Sequence, residues 1–363
     1  MAELEQWAEL FDEVVIVAPR GEGAPRGDEA ALKVGKARLA AIPQAGGRGW
    51  KKKLGLAAAV PRMALVMIGH MLHADVVHVR CPGNAGLVGA VVAPLAARRR
   101  IAKYAGQWSD YMGEPRTFRW QRRLLDSRWW GAPVLAYSGG EENGRVRPFF
   151  SAALTEAQME RARRAALRPR TGRPPRVLYV GRLTRAKGAG RLVDACSLLR
   201  RRGVEVICDI VGEGEARSEF EEAARRAGLE GRIVFHGGRD LEGVLGFYEE
   251  ADALALPSRT EGWPKVLVEA MAFGVPCVAT ECGLNGWLLG EGRGFTVPFG
   301  DAGALAEALE RLLLEDEGAR ARRREACARF GQQYTVERFR EELRRLMERE
   351  WGVRLRRGVA VCE

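Results

Sequence analysis

Between residues 177 and 314 the chain alternates short apolar runs with longer runs of helical spacing. β-Branched, apolar stretches at 177–181, 204–211, 232–236, 252–256, 276–280 and 294–297 predict strands. Periodic segments near 188–202, 215–228, 240–250, 264–274 and 301–314 predict the helices between them. Such alternation specifies a parallel α/β sheet with right-handed crossovers, whose ligands bind beyond the strand C-terminal ends. The first half is less regular. A helix is expected at 3–11, buried strands at Val14–Val17 and Asp75–Val79, and a weaker strand at Ile101–Ala105. Residues 54–72 are largely apolar but interrupted by Pro61-Arg62 and barely of spanning length, so a buried or interfacial helix is expected rather than a membrane span. From about 303 to 350, Glu and Arg recur with helical spacing, as solvated amphipathic helices do.

A chain of 363 residues exceeds one ordinary core. The turn-forming, basic segment Pro169–Pro175 reads as a linker, giving an N-terminal domain over 1–172, a C-terminal domain over 173–335, and a helix and tail over 336–363 that crosses back to the first domain. Seven scattered cysteines with no CxxC pair fit reduced thiols rather than disulfides or zinc, and no secretion signal is readable in MAELEQWAELFDE. A cytoplasmic protein is expected, peripheral at the inner face of the membrane. The net charge of +11 is uneven: residues 1–172 hold 27 Lys/Arg against 16 Asp/Glu, and residues 173–363 hold 31 against 31. A basic half fits nucleic acid, anionic lipid or an anionic acceptor, and charge alone does not choose among them. No interleaving of aromatic and basic residues supports nucleic acid. Peripheral contact of this half with an anionic membrane is carried as an expectation.

Three motifs carry chemistry. Gly181-Arg182-Leu-Thr-Arg-Ala-Lys187-Gly188 lies where a strand ends and a helix begins, so amide dipoles and two cations converge on an anion such as a diphosphate. In Glu261-Gly262-Trp263-Pro264-Lys-Val-Leu-Val-Glu269, Pro264 suits a first helical turn, leaving Glu261 in the entering loop and Glu269 inside the helix. A carboxylate buried there needs partners, either ligand hydroxyls or neighbouring backbone amides. Gly212-Glu-Gly214-Glu-Ala-Arg217 imitates a dinucleotide fingerprint but has Arg in place of the third glycine.

In order, GRLTRAKG, VGEGEAR, FHGGRD, ADALALPSRTEGWPKVLVEAMAFGVPCVAT and GFTVPFGD resemble the C-terminal domain of retaining nucleotide-sugar glycosyltransferases of the GT-B architecture (group 1, family 4-like). The resemblance implies two Rossmann-like parallel-sheet domains facing across a cleft. It implies Arg182 and Lys187 on the donor diphosphate, Glu269 on the ribose hydroxyls, and Glu261 with the backbone of Gly262, Trp263 and Pro264 at the transferred sugar. Gly237 and Arg239 would lie near the base, and Gly212 and Gly214 near the nucleotide. Arg182, Lys187 and Glu261 are the catalytic candidates. The nucleotide sugar is a co-substrate, and no metal or other cofactor is expected, because two fixed cations can stabilise the leaving diphosphate. The acceptor is a cell-envelope glycan, a lipid-linked sugar or a small molecule. Family members usually open with a strand and a glycine-rich loop before the first helix, whereas this chain opens with the helix, so the N-terminal sheet is expected to lack its first strand. Either the true start lies upstream or the sheet has lost a member, and the competing reading is a catalytically impaired nucleotide-sugar-binding protein of the same fold. His78 and His70 are expected to be packed. An NAD-dependent enzyme is disfavoured by the failed glycine fingerprint.

Overall fold

A computed structural model describes residues 2–20, 35–43, 50–111, 113–138, 144–169 and 173–355. The central residues of the Pro169–Pro175 segment, 170–172, and the tail from 356 lie outside the described residues. The chain divides into two compact units, one of Ala152–Arg338 and the other of the residues before Ala152 and from Phe339 onward.

The first unit contains α1 (Ala2–Ala8), β1 (Val14–Pro19), β2 (Ala37–Ile42), α2 (Trp50–Met71), β3 (Val77–Cys81), α3 (Asn84–Ala96), β4 (Arg100–Tyr104), α4 (Arg116–Asp126), β5 (Val134–Ala136) and β6 (Val146–Pro148). All strand pairs are parallel, but they form two sheets, β1-β2 and β3-β4-β5-β6. Among the described residues no strand joins β1 to β3. The sheet expected to lack a member is thus seen as two sheets, held together by one core in which Val17 and Ile42 pack with Val77 and Val79. On α2, Met63, Met67 and Met71 recur at helical spacing and are buried, while Leu65 and, just past the helix, Leu72 are exposed. No helix among the described residues is long and apolar enough to cross a membrane.

α1 is anchored by a buried ion pair. Glu3 accepts from Lys103 Nζ at 2.9 Å and from Ser151 Oγ, and Lys103, on β4, is 1% exposed. The same ammonium lies over the rings of Tyr137 and Phe339, at 5.2 and 5.1 Å. Trp7 stacks on His78 at 4.0 Å, and burial lowers the imidazole pKa to about 3, so His78 is a neutral packing residue.

The second unit holds α5 (Glu156–Ala166), β7 (Arg176–Val180), α6 (Ala189–Arg201), β8 (Ile207–Val211), α7 (Arg217–Arg226), β9 (Ile233–Gly237), α8 (Leu241–Glu250), β10 (Ala253–Leu256), α9 (Lys265–Ala272), β11 (Cys277–Thr280), α10 (Asn285–Leu289), β12 (Gly294–Val297), α11 (Ala302–Leu313) and α12 (Glu317–Gly331). Its sheet runs β12-β11-β10-β7-β8-β9, wholly parallel. Alternation along β7 serves two cores: Val177 and Tyr179 face one layer, and Leu178 faces the other. The boundary falls upstream of 173 because α5 buries Met159, Ala162 and Ala165 in this second core and Leu154 bridges to Thr335. A last helix, α13 (Val336–Trp351), joins the first unit from Phe339, whose ring meets Phe149 and Phe150, while Glu350 pairs with Arg147 at 2.6 Å.

Removing Lys103 takes a buried ammonium from the Glu3 carboxylate, which keeps Arg80 Nη1 at the longer distance of 3.4 Å. Lys103→Met should therefore cost about 3 kcal/mol in chemical unfolding, and adding Glu3→Gln should recover part of it. Two independent, additive losses would show that the pair does not anchor α1.

Candidate functional site

The loops following β7, β8, β10 and β11 are packed backbone against backbone. After Val180 the chain passes through Gly181–Thr184, makes one 3₁₀ turn at Arg185–Lys187, and enters α6 through Gly188. Thr184 starts the turn, its Oγ1 accepting from Lys187 N at 3.3 Å. Gly188 has φ 74°, and a Cβ there would run into the carbonyl of Pro257 beyond β10. Likewise a Cβ on Gly212 would strike Gly181 O, on Gly214 Leu183 O, and on Gly283 Glu261 O. Glycine is required because two backbones occupy the space of a side chain. Hydrogen bonds complete the interlock: Gly181 N to Val211 O at 3.0 Å, Leu183 N to Glu213 O at 2.8 Å, and Arg259 N to Ala186 O at 2.8 Å. Tyr179 Oη donates to Arg182 O at 2.9 Å from beneath.

This interlock puts Lys187 Nζ 2.6 Å from Glu261 Oε1, with the lysine side chain 34% and the glutamate side chain 11% exposed. Residues 74 positions apart thus form one ion pair at the strand C-terminal ends. Arg182 is exposed and has no carboxylate partner among the described residues. Arg259, which the sequence reading did not single out, is a further exposed cation on the adjoining loop, with its guanidinium 5.0 Å from the Phe299 ring centroid. Only its backbone link to Ala186 reveals that it belongs here.

Pro264 precedes α9, and Glu269 lies in its second turn. The carboxylate is 7% exposed and accepts from Tyr248 Oη of α8 at 2.8 Å. Burial raises its pKa, partly opposed by the phenol and by Lys265. The partner is therefore a side chain that sequence reasoning missed. Trp263 packs edge-on to Tyr334 at 5.2 Å and near Trp287, so its ring joins an aromatic cluster while Gly262 leads in from Glu261. Gly237 accepts from Gly212 N at 2.9 Å, which ties the β9 turn to the β8 loop, and Arg239 is exposed on that turn. The candidates thus gather as Lys187 with Glu261 directly, and Arg182, Gly212, Gly214 and Gly237 through loop backbones.

Residues 163–334 match the model of glycosyl transferases group 1. These residues, just under half of the chain, resemble the group 1 glycosyl transferases. This segment is similar to the amylovoran biosynthesis glycosyltransferase AmsK of Erwinia amylovora, at 36% identity over 153 residues that cover 40% of this chain and 38% of the relative. The matched stretch spans well under half the length of that relative. The chain as a whole superimposes on sucrose-phosphate synthase from Thermosynechococcus elongatus with a TM-score of 0.71 at 22% identity, covering 96% of this chain and 91% of that one. It also superimposes on Anabaena HepE in complex with UDP, with a TM-score of 0.66 at 19% identity, covering 93% and 100%. The fold is GT-B, built from two Rossmann-like units. Among the described residues, no group of three or more His, Cys, Asp or Glu could hold a metal ion.

Gly188 and Gly231 share nearly the same φ, 74° and 75°, but a Cβ on Gly231 meets open space. Gly231→Ala should cost about 1 kcal/mol from strain alone, and Gly188→Ala clearly more; equal melting shifts would refute the close backbone approach. A second expectation follows from Glu269. Its raised pKa means that the folded state holds the proton more tightly than the unfolded chain, so stability is lost as pH rises past about 4.3, the ordinary glutamate value. Glu269→Gln should melt above the parent at pH 7 to 8, with the gap closing toward pH 4. A gap independent of pH would assign the effect to packing.

Proposed function

We propose that the protein transfers a sugar from a nucleoside diphosphate sugar, UDP- or GDP-linked, to a cell-envelope glycan, lipid-linked or small-molecule acceptor with retention of anomeric configuration. The Lys187–Glu261 pair, set at the mouth of a crossover whose loop also carries the unpaired Arg182, supports this reading most directly. As the bond from anomeric carbon to phosphate breaks, negative charge grows on the leaving diphosphate. Lys187 and Arg182 are assigned to oppose that charge more strongly in the transition state than in the ground state. Glu261 shares Lys187 through one oxygen, and its second oxygen and the Gly262–Pro264 backbone are assigned to hydroxyls of the transferred sugar. Glu269, held by Tyr248, is assigned to the ribose hydroxyls. Gly212, Gly214, Gly237 and Arg239 are assigned to the nucleotide side. Neither a metal ion nor a cofactor takes part in the proposed reaction. The HepE neighbour, solved in complex with UDP, makes a uridine donor the first to test. The acceptor proton passes to the departing phosphate, so no separate protein base is assigned.

A second reading, donor binding without transfer, draws on the division of the first unit into two sheets. Binding of nucleotide sugar with no transfer across a broad acceptor panel would favour it. Under the first reading, the basic first half also meets an anionic membrane surface, where lipid-linked acceptors reside.

Lys187→Ala should lower kcat by about 10²- to 10³-fold, the usual loss for one charged transition-state contact. Unchanged turnover would remove Lys187 from the diphosphate. Glu269→Ala should weaken free nucleoside diphosphate in calorimetry, since the ribose contact needs no sugar; equal affinities would give the carboxylate another role.

A further inference from the structure

The crossovers β3–α3–β4 and β4–α4–β5 step across the sheet in one direction, so right-handedness places α3 and α4 on the same side of it. α2 packs alongside α3, and the three helices form one layer over the first core. Across their 46 residues, 22 in α2, 13 in α3 and 11 in α4, they carry eight Lys or Arg, four in α2 and four in α4, against one acid, Asp126.

The outward side of this layer is neither plainly polar nor plainly apolar. Leu65 of α2 is 71% exposed and Leu72, just past its end, 63%, while Leu95 of α3 is 69% and Trp120 of α4 55% exposed. Trp129, just after α4, is 46% exposed and donates Nε1 to Val91 O at 3.2 Å, so its ring lies on α3 with its polar end satisfied. On α4, Arg116, Trp120 and Arg123 follow at helical spacing and are exposed, opposite the buried Gln121 and Leu125. Arg116, Arg123 and Arg128 have no carboxylate partner among the described residues, whereas Arg119 and Arg122 are engaged by Glu114 and, for Arg122, also Asp110.

We propose that the outer face of the α2–α3–α4 layer docks on an anionic phospholipid bilayer, with Trp120, Trp129 and the exposed leucines at the headgroup boundary and the unpaired arginines on lipid phosphates. The proposal rests on the membrane-facing reading of the first half and names the surface that performs it. Charge complementarity selects the partner: exposed Arg116, Arg123 and Arg128 without carboxylate partners among the described residues, on or just past helices whose sequences hold one acid among eight bases, repel other basic surfaces and attract anionic ones. The aliphatic side chains select lipid over nucleic acid, which would leave Leu65, Leu72 and Leu95 in water, whereas a bilayer boundary buries them.

The test is co-sedimentation of the full chain with phosphatidylcholine vesicles with or without phosphatidylglycerol. Binding should require phosphatidylglycerol and weaken with salt. Arg116→Glu with Arg123→Glu should lower partitioning more than about twentyfold, since each basic charge near the surface is worth roughly fivefold. Arg201→Glu with Arg226→Glu, equally exposed on the second unit, should change it little. Lipids brominated near the headgroup should quench tryptophan emission in the parent, and Trp120→Phe with Trp129→Phe should lose most of that quenching while still binding. No binding to phosphatidylglycerol vesicles overturns the proposal and the membrane reading together. Equal loss in both charge-reversed variants, or quenching retained without Trp120 and Trp129, overturns the face alone. Preferential binding of homopolymer RNA over vesicles overturns the choice of partner.

Discussion

The site depends on one steric constraint: backbones from neighbouring strand-end loops touch where only glycine leaves room. Gly188 against Pro257, Gly212 against Gly181, Gly214 against Leu183 and Gly283 against Glu261 lock the loops after β7, β8, β10 and β11 into one block. A block of this kind loses its conformational freedom on folding rather than on binding. Charged side chains mounted on it meet a ligand without further ordering cost, which is the condition for electrostatic stabilisation of a transition state.

Lys187 and Glu261 illustrate the consequence. At 2.6 Å and partly buried, each limits the other's desolvation cost. Glu269 is held differently. Its buried carboxylate has a phenol donor and a raised pKa, a stability cost above the ordinary glutamate pKa that the proposed contact with ribose hydroxyls would relieve.

Much of the second unit was legible because strand and helix periods alternate cleanly there, and the observed elements fall within a few residues of those expected. The motif order resembles that of the group 1 glycosyl transferases, whose model matches residues 163–334. The role of the glycines was less legible. Gly212 and Gly214 were read beside a failed dinucleotide fingerprint, but their requirement comes from the β7 loop some thirty residues earlier, which no local pattern records. Tyr248 was missed because its contact with Glu269 joins two helices across a core, and Arg259 because its link to Lys187's turn is a backbone hydrogen bond. In the first unit, Glu3 and Lys103 lie a hundred residues apart in sequence and would each pass for a solvated surface charge. The division of the first unit's strands into β1-β2 and β3–β6 over a shared core was visible only in the fold.

The measurement that bears most directly on the diphosphate site is calorimetric titration of a nucleoside and its diphosphate against the parent and Lys187→Met. If the β7 crossover receives a pyrophosphoryl group, the parent should favour the diphosphate by tenfold or more, about 1.4 kcal/mol, and the variant should lose most of that preference. Equal affinity of the parent for both ligands, or an undiminished preference in the variant, would place the phosphates elsewhere.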